Sequence, residues 1–235
     1  MELDLYKVSL VFMGLLNLVL AGWLLLGSKP YRQYKDYHRT RIAAAIWMIA
    51  FALGYFINVS LKLRFVWPSA ASALTVTYFH IGVICFSWGF TPLLNHEYLT
   101  RRVIIRDLAI FLSAMCCYWT VAATWKNAPL YTALSFIPFF LYGLYAAIVF
   151  YRTYNLVSER KIRMKYGNLL GFIRWMQMCC DLIVLFGLGS VAITGIFPLE
   201  TWPYIALLWV GLAIYVTITL SVERYGKVII ENASV

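Results

Sequence analysis

The chain has 235 residues, of which 63% are hydrophobic and only 13% are charged, and its net charge is +10. Soluble globular proteins carry about 25% charged residues, so this composition excludes an ordinary water-soluble domain and indicates a membrane protein. Basic residues of membrane proteins collect in the cytoplasmic loops. The positive charge is therefore not a nucleic-acid signal, and we expect no nucleic acid to bind this region.

Seven stretches are apolar enough to cross a bilayer, since a spanning helix needs about 20 mostly apolar residues. They lie at residues 8–27, 42–63, 69–94, 103–124, 130–151, 172–197 and 203–222. Strands of a membrane barrel would instead alternate in polarity over about 10 residues. The sequence predicts an all-α polytopic membrane protein in which residues 1–235 form a single domain, a bundle of seven transmembrane helices. Pro138 is expected to interrupt the fifth helix.

Lysine and arginine residues predict the orientation of this bundle. Fifteen of them lie in the segments 28–41, 95–107 and 152–165 or after the seventh stretch, whereas four lie in the connections on the opposite side. Because basic loops stay in the cytoplasm, we expect the N-terminus outside and the C-terminus in the cytoplasm.

A polar stripe runs through the sixth stretch. Arg174, Gln177 and Asp181 follow one another at spacings of three and four, which places them on one face of a helix. A charge in hydrocarbon is costly, so we expect Asp181 to face the bundle. Other polar residues at the same, inner end of the predicted helices are Arg106, Asp107, His96, Glu97, Glu223 and Arg224. These nine residues are candidates for a switch cluster; the alternatives are static clamps between helices and a proton or ion path.

A second polar group lies in the outer half of the predicted bundle. His80 sits mid-way along the third stretch, with Thr77 and Tyr78 close by, and Asn58 and Asn17 lie in the second and first stretches. We expect these five residues to line a cavity that opens outward and binds a ligand. Histidine titrates near neutral pH, which makes His80 a candidate proton sensor; the alternative is a hydrogen-bonded packing residue.

Catalytic and metal-binding patterns are missing from the sequence. The cysteines all lie within the apolar stretches, at Cys85, Cys116, Cys117, Cys179 and Cys180. Adjacent cysteines on a helix point about 100° apart and cannot clamp one ion as a C-x-x-C motif does, so we interpret them as packing residues. No H-x-x-x-H or H-E-x-x-H pair occurs. We expect no catalytic residue, no metal, no cofactor and no enzyme activity.

Two segments, LRFVWPSAASALTVTYFHIGVICFSW and LLNHEYLTRRVIIRDLAI, carry a resemblance that extends in layout across the whole chain. They resemble the heptahelical membrane sensor regions that precede histidine-kinase or helix-turn-helix output domains in bacterial signalling proteins. The resemblance implies a receptor-like module of a bacterial plasma (inner) membrane. Such a module would bind a small molecule or lipid and signal to a cytoplasmic output domain or a separate partner.

The alternative function is a small-solute or ion transporter, which would need a polar path from His80 to Asp181. The bilayer itself is the first expected partner, and the basic inner loops suit anionic lipid. Small residues such as Ala206 with Gly211, and Gly187 with Gly195, suit close helix packing. That packing occurs either within one chain or in a homodimer.

Overall fold

The computed structural model describes residues 2–125, 128–163, 167–197 and 200–233, with side chains over residues 4–125, 128–159, 174–197 and 200–226. Every regular element in these ranges is helical, and no strand occurs in them. In these ranges, seven helical segments are long and apolar enough to cross a membrane, and we call them spans. The prediction of an all-helical fold is confirmed, and these seven spans have the length and composition that membrane crossing needs.

The helices follow one another with short connections. In chain order they are α1 (Glu2–Leu26), α2 (Lys35–Ser60), α3 (Leu63–Val66), α4 (Pro68–Leu94), α5 (Arg101–Thr124), α6 (Pro129–Ser135), α7 (Ile137–Arg163), α8 (Gly167–Ile196) and α9 (Trp202–Ala233). A single 3₁₀ turn, Lys29–Tyr31, joins α1 to α2.

Several helices run past the predicted stretches at the end that carries the basic segments. Helix α2 begins at Lys35 rather than at residue 42, and α7 and α9 continue to Arg163 and Ala233 rather than to residues 151 and 222. The i to i−4 backbone hydrogen bonds of a helix do not depend on side-chain hydropathy. Hydropathy therefore predicts the apolar core of a span but not where its helix ends.

The fifth span is broken into α6 and α7 by a turn at Phe136. Pro138 lacks a backbone N–H, and its ring clashes with the carbonyl of the residue four positions earlier. The structure avoids that clash because α6 ends at Ser135 and Pro138 falls in the first turn of α7, where no N–H is needed. The predicted interruption is confirmed.

Helix α4 forms the centre of the bundle. It packs against α2, α5, α7 and α8, while α1 packs between α2 and α9 and α9 packs against α8. Small residues allow the closest of these contacts. A Cβ atom added to Gly82 of α4 would lie 2.5 Å from the indole nitrogen of Trp47 on α2, so a larger residue at this position would push the two helices apart.

The outer surface of the bundle is apolar. Leucines on five helices are each more than half exposed, namely Leu15, Leu53, Leu112, Leu141 and Leu185. Soluble monomers rarely expose apolar patches on this scale, whereas lipid tails cover them without cost. The surface, like the seven apolar spans, indicates an integral membrane protein.

Candidate functional site

A cavity of about 30 Å³ lies at the end of the bundle where α1 begins and α8 ends. Small-molecule sites typically measure about 300–1,000 Å³. The lining comes from α1, α2, α3, α4, α8 and α9, through Tyr6, Leu10, Tyr55, Asn58, Arg64, Thr75, Tyr78, Phe79, Phe186, Ser190, Thr194, Tyr204, Leu207 and Leu208. The cavity is much smaller than such sites and has room for about two water molecules, but most of the bundle contributes to its lining.

The lining changes from polar to apolar with depth. Arg64, Thr194 and Tyr204 lie close to the ends of their helices, whereas Phe79 and Phe186 lie farther in. At a rise of 1.5 Å per residue, Phe79 is about 16 Å from the start of α4 and Phe186 about 15 Å from the end of α8. The cavity has a polar mouth and an aromatic floor.

Arg64 supplies a buried positive charge at the mouth. Its side chain is only 3% exposed, and its guanidinium carbon lies 3.4 Å from the ring centroid of Tyr204, which is a cation–π contact. Burial alone would lower the pKa of Arg64, but Tyr204 and Tyr6 beside it outweigh that effect, and the pKa is raised. The guanidinium is therefore charged at every physiological pH.

The backbone after α2 directs Arg64 into the bundle. Lys62 has φ 49° and ψ 36°, the left-handed region that residues other than glycine and asparagine seldom adopt. This conformation ends α2 and allows the chain to reverse into the four-residue α3, which carries Arg64. The charge is thus placed by a short connection and not by a transmembrane helix.

Two polar atoms of the lining lack a partner. The side-chain oxygen Oδ1 of Asn58 and the hydroxyl of Ser190 are buried and make no hydrogen bond with any described residue. Most buried polar groups in native proteins are hydrogen-bonded, so each such atom needs an explanation. A ligand with polar groups near the cavity mouth would satisfy both.

The structure places two of the five residues predicted for an outer cavity in this lining. They are Asn58 and Tyr78, and the Tyr78 hydroxyl donates a hydrogen bond to Oγ1 of Thr75 at 3.3 Å. The other lining residues were missed by sequence reasoning. Arg64 gave a usable signal, because it is one of few cations in the predicted outer connections; the aromatic residues gave none.

The remaining three predicted residues lie elsewhere in the bundle. Thr77 accepts a hydrogen bond from the indole of Trp119 on α5 at 3.3 Å, and the amide of Asn17 donates to the Met13 carbonyl of its own helix at 2.8 Å. Thr77 lies outside the lining of the cavity because side chains on a helix diverge by about 100° per residue, so this neighbour of Tyr78 faces another helix.

His80 lies between α4, α5 and α7. It is fully buried, its Nδ1 is 3.1 Å from the Tyr118 hydroxyl, and its ring contacts those of Phe111, Phe139 and Tyr142. The aromatic contacts favour a packing histidine, the alternative that the sequence left open, and the buried Nε2 makes no hydrogen bond with a described residue.

At the opposite end of the bundle, Arg41 joins α1, α2 and α9. Its Nη2 is 2.6 Å from a carboxylate oxygen of Glu223, and its Nε donates to the Leu24 carbonyl at 3.1 Å. Its Nη1 donates at 3.1 Å to the hydroxyl of Tyr37, which in turn donates to the Val222 carbonyl at 2.7 Å. Arg41 is 0% exposed. We call Arg41, Glu223, Tyr37, Leu24 and Val222 the α1–α2–α9 clamp.

The sequence identified Glu223 as a candidate for an inner cluster but treated Arg41 as one more cation of a basic loop. The difference arises because α2 starts seven residues earlier than its apolar stretch. Arg41 is therefore part of the helix, and it can reach into the bundle.

The other predicted inner residues lie in separate pairs between different helices. On α5, Arg106 donates to Asp107 at 2.8 Å and to the Tyr145 hydroxyl at 2.6 Å, and the indole of Trp88 donates to Asp107 at 2.9 Å. On α8, Asp181 accepts a hydrogen bond from Tyr151 of α7. Each acidic side chain thus has a partner on a neighbouring helix.

The remaining members lie near or at the surface. His96 and Glu97 form a pair at 3.9 Å with both side chains largely exposed, Arg174 and Arg224 are exposed, and Gln177 is partly buried. Among the described residues, no hydrogen bond or ion pair joins these surface residues to the pairs of α5, α8 and α9. The nine predicted residues share one end of the bundle without forming one network.

The cavity and the clamp are connected through α2 and α9. Tyr55 lines the cavity, and its hydroxyl lies 3.1 Å from that of Tyr215 on α9. Other aromatic rings surround this pair. The ring centroids of Phe51 and Phe186 lie within 6 Å of that of Tyr215, and the ring centroid of Tyr78 lies within 6 Å of those of Tyr55 and Phe51. These contacts join residues of the cavity lining on α2, α4 and α8 to α9.

In the described part of the chain, no three His, Cys, Asp or Glu side chains come together in a way that could hold a metal ion. The chain was compared with protein-family models, with curated proteins and with solved structures, and none of the three comparisons found a match.

Proposed function

We propose that the protein is a receptor-like membrane sensor whose cavity binds a small molecule or lipid and whose opposite end transmits the bound state to a cytoplasmic output domain or partner. One observation carries this proposal. The same three helices, α1, α2 and α9, line the cavity at one end and form the clamp at the other.

Ligand binding would act on these helices by a shift of population. A ligand favours whichever arrangement of α1, α2 and α9 it contacts better, and it shifts the equilibrium only by that difference in affinity. Tyr55, Asn58, Tyr204 and Leu208 hold the ligand-facing ends of α2 and α9. A change in their spacing would stretch or relax the contact between Arg41 and Glu223.

The orientation inferred from the basic segments supports this direction of signalling. The clamp lies at the end that carries the basic segments, which we assign to the cytoplasm of a bacterial cell. The cavity then faces the outside. A transporter with a path from His80 to Asp181 is the weaker alternative, since aromatic rings surround His80 and Asp181 lies at the α7–α8 interface.

The test fills the cavity with a side chain in place of a ligand. Ser190→Leu adds apolar volume to the lining, and Ser113→Leu makes the same change on α5 at an exposed position. Spin labels at Lys35→Cys and Arg224→Cys, both exposed residues of α2 and α9, report their distance by pulsed electron resonance in nanodiscs. The background replaces Cys116 and Cys117 by alanine.

We expect Ser190→Leu to change the α2–α9 distance by about 1–2 Å or more, the size of helix shifts in switching proteins. Ser113→Leu should leave it unchanged. An unchanged distance in a folded Ser190→Leu protein would rule out coupling between cavity and clamp. Solute flux in liposomes that disappears in Ser190→Leu would favour the transporter.

A further inference from the structure

We propose that the cavity holds two bound water molecules, which bridge the side-chain oxygen of Asn58 on α2 to the hydroxyl of Ser190 on α8. The ligand of this site is therefore water itself, a neutral molecule that can both donate and accept hydrogen bonds. The inference goes beyond the proposed function, because such a bridge links the two helices whether or not the protein is a sensor.

The size of the cavity selects the ligand. Its volume is about 30 Å³, and a buried water molecule needs roughly 10–15 Å³ of volume measured with a water-sized probe. The cavity thus has room for two water molecules, whereas an acyl chain or an aromatic ring does not fit. Any molecule that occupies the site without moving the helices has to be of the size of water.

Asn58 and Ser190 supply the polar atoms that hold such molecules. Both residues line the cavity, and their exposed fractions are only 4% and 2%. The Oδ1 atom of Asn58 and the hydroxyl of Ser190 are buried and make no hydrogen bond with any described residue. Oδ1 can only accept a hydrogen bond and therefore needs a donor. Buried water typically supplies about three hydrogen bonds to polar groups of this kind.

Other polar groups of the lining already have partners. The hydroxyls of Thr75 and Thr194 each donate to the carbonyl four residues earlier in their own helix, both at 2.8 Å. The Arg64 guanidinium is engaged with Tyr204 and Tyr6. The unpartnered atoms of Asn58 and Ser190 are thus not a general feature of this lining. The threonine oxygens can still accept a hydrogen bond from water, which gives the two molecules further partners.

The bridge supplies a polar link between two helices on different sides of the cavity. Both α2 and α8 pack against α4 and α9, and among the described residues no hydrogen bond joins α2 directly to α8. A hydrogen bond mediated by water is nearly as favourable in enthalpy as a direct one. The two water molecules are therefore part of the helix packing at this end of the bundle.

Radiolytic footprinting of the full chain in nanodiscs tests the bridge, with water as the probe. An X-ray pulse converts water into hydroxyl radicals, and a bound water molecule oxidises the side chains that it touches even where they are buried. Phe79 and Phe186, which we call the cavity phenylalanines, line the proposed site. Phe86 and Phe139, the control phenylalanines, line a cavity of about 10 Å³ between α4, α7 and α8. All four are buried.

The control cavity differs from the proposed site in its chemistry. Its described lining residues are apolar and include no unpartnered polar atom, and apolar cavities of proteins stay dry. In isotope-labelled water, we therefore expect the cavity phenylalanines to incorporate the labelled oxygen several times faster than the control phenylalanines.

A double variant tests which atoms hold the water. Asn58→Leu combined with Ser190→Ala removes both polar atoms and changes the size of the lining side chains little. It should lower the labelling rate of the cavity phenylalanines to that of the control phenylalanines. Ser113→Ala is the matched control, because it removes an exposed hydroxyl of α5, and it should leave every rate unchanged.

Equal labelling of the cavity and control phenylalanines in the wild type would overturn the proposal, and this comparison does not require any variant to fold. Fast labelling that persists in the folded double variant would overturn it as well, because the water would then not depend on Asn58 and Ser190. Neither measurement involves the α2–α9 distance, so the result is independent of the spin-label test of the sensor.

Discussion

Lys62 shows how the backbone of one residue places the charge of another. Its left-handed conformation lets α2 end and α3 turn inward, so that the Arg64 side chain is buried in the bundle. Such conformations cost free energy and persist where the surrounding structure enforces them, often at functional sites. The position of Lys62 next to the cavity fits that pattern.

The first residue-scale prediction concerns this position. Lys62→Ile should destabilise the protein by about 1–2 kcal/mol, because a β-branched side chain is least compatible with positive φ. Lys62→Asn should be neutral within about 0.5 kcal/mol, since asparagine tolerates this region. Thermal unfolding of both variants in detergent measures the difference, and equal melting temperatures would show that the turn is not strained.

The sequence singled out polar residues within the apolar stretches, but it did not show which cavity or helix each of them faces. Intramembrane polarity drew attention to Asn58, Tyr78 and Glu223, which the structure places in the cavity lining or in the clamp. It could not separate residues that face the cavity from those that face another helix, such as His80. That distinction depends on which helices are neighbours, and hydropathy contains no information about neighbours.

At the scale of elements, the clamp joins α1, α2 and α9 at this end of the bundle. Arg41 bridges a backbone carbonyl of α1 and a carboxylate of α9, and two tyrosine rings lie within 6 Å of its guanidinium carbon. A buried charge of this kind stabilises only when every partner is present. The clamp therefore acts as one unit.

A double-mutant cycle with Arg41→Met and Glu223→Met tests this unit. We expect a coupling free energy of about 1–3 kcal/mol, below the strongest buried pairs because the Glu223 side chain is 23% exposed. The double variant should lose less stability than the sum of the losses of the two single variants. Chemical denaturation in mixed micelles gives the three stability changes.

The pair of Asp36 and Arg39 serves as the control for this cycle. It lies on the same helix at 3.2 Å, but both side chains are substantially exposed, so its coupling should not exceed about 0.5 kcal/mol. If the two pairs gave the same coupling, burial would not distinguish the clamp from an ordinary surface ion pair.

The helices themselves could be predicted well from the sequence, and their ends could not. Continuous apolar stretches locate the seven spans, and Pro138 locates the break in the fifth. The turns of α2 and α9 that lie outside the predicted stretches are rich in polar and charged residues, which a hydropathy pattern assigns to loops. Those turns include Arg41 and Glu223, so the same limitation hid the clamp.

For the whole molecule, the basic segments predict which end of the bundle faces the cytoplasm. Lys29 and Lys62 are exposed residues at opposite ends of the bundle. In intact bacterial cells, with Cys116 and Cys117 replaced by alanine, a membrane-impermeant maleimide should label Lys62→Cys and leave Lys29→Cys unlabelled. Permeabilised cells should allow both to react.

The opposite labelling pattern would place the cavity on the cytoplasmic side. The sensor proposal would then need an intracellular ligand, whereas the geometry of Arg64 and Tyr204 would be unaffected. Orientation is a property of the charge distribution between loops, and the packing of the helices is the same in either direction.

The central position of α4 has a consequence for the synthesis of the protein. This helix buries Ser72, Thr75, Ser87 and Thr91 against neighbours, and α5, α7 and α8 leave the ribosome after it. A polypeptide that has emerged only as far as residue 94 must hold these hydroxyl groups in lipid or against the translocon until its later helices arrive. Assembly of the bundle is therefore completed by adding later helices around a central helix that was inserted before most of its neighbours existed.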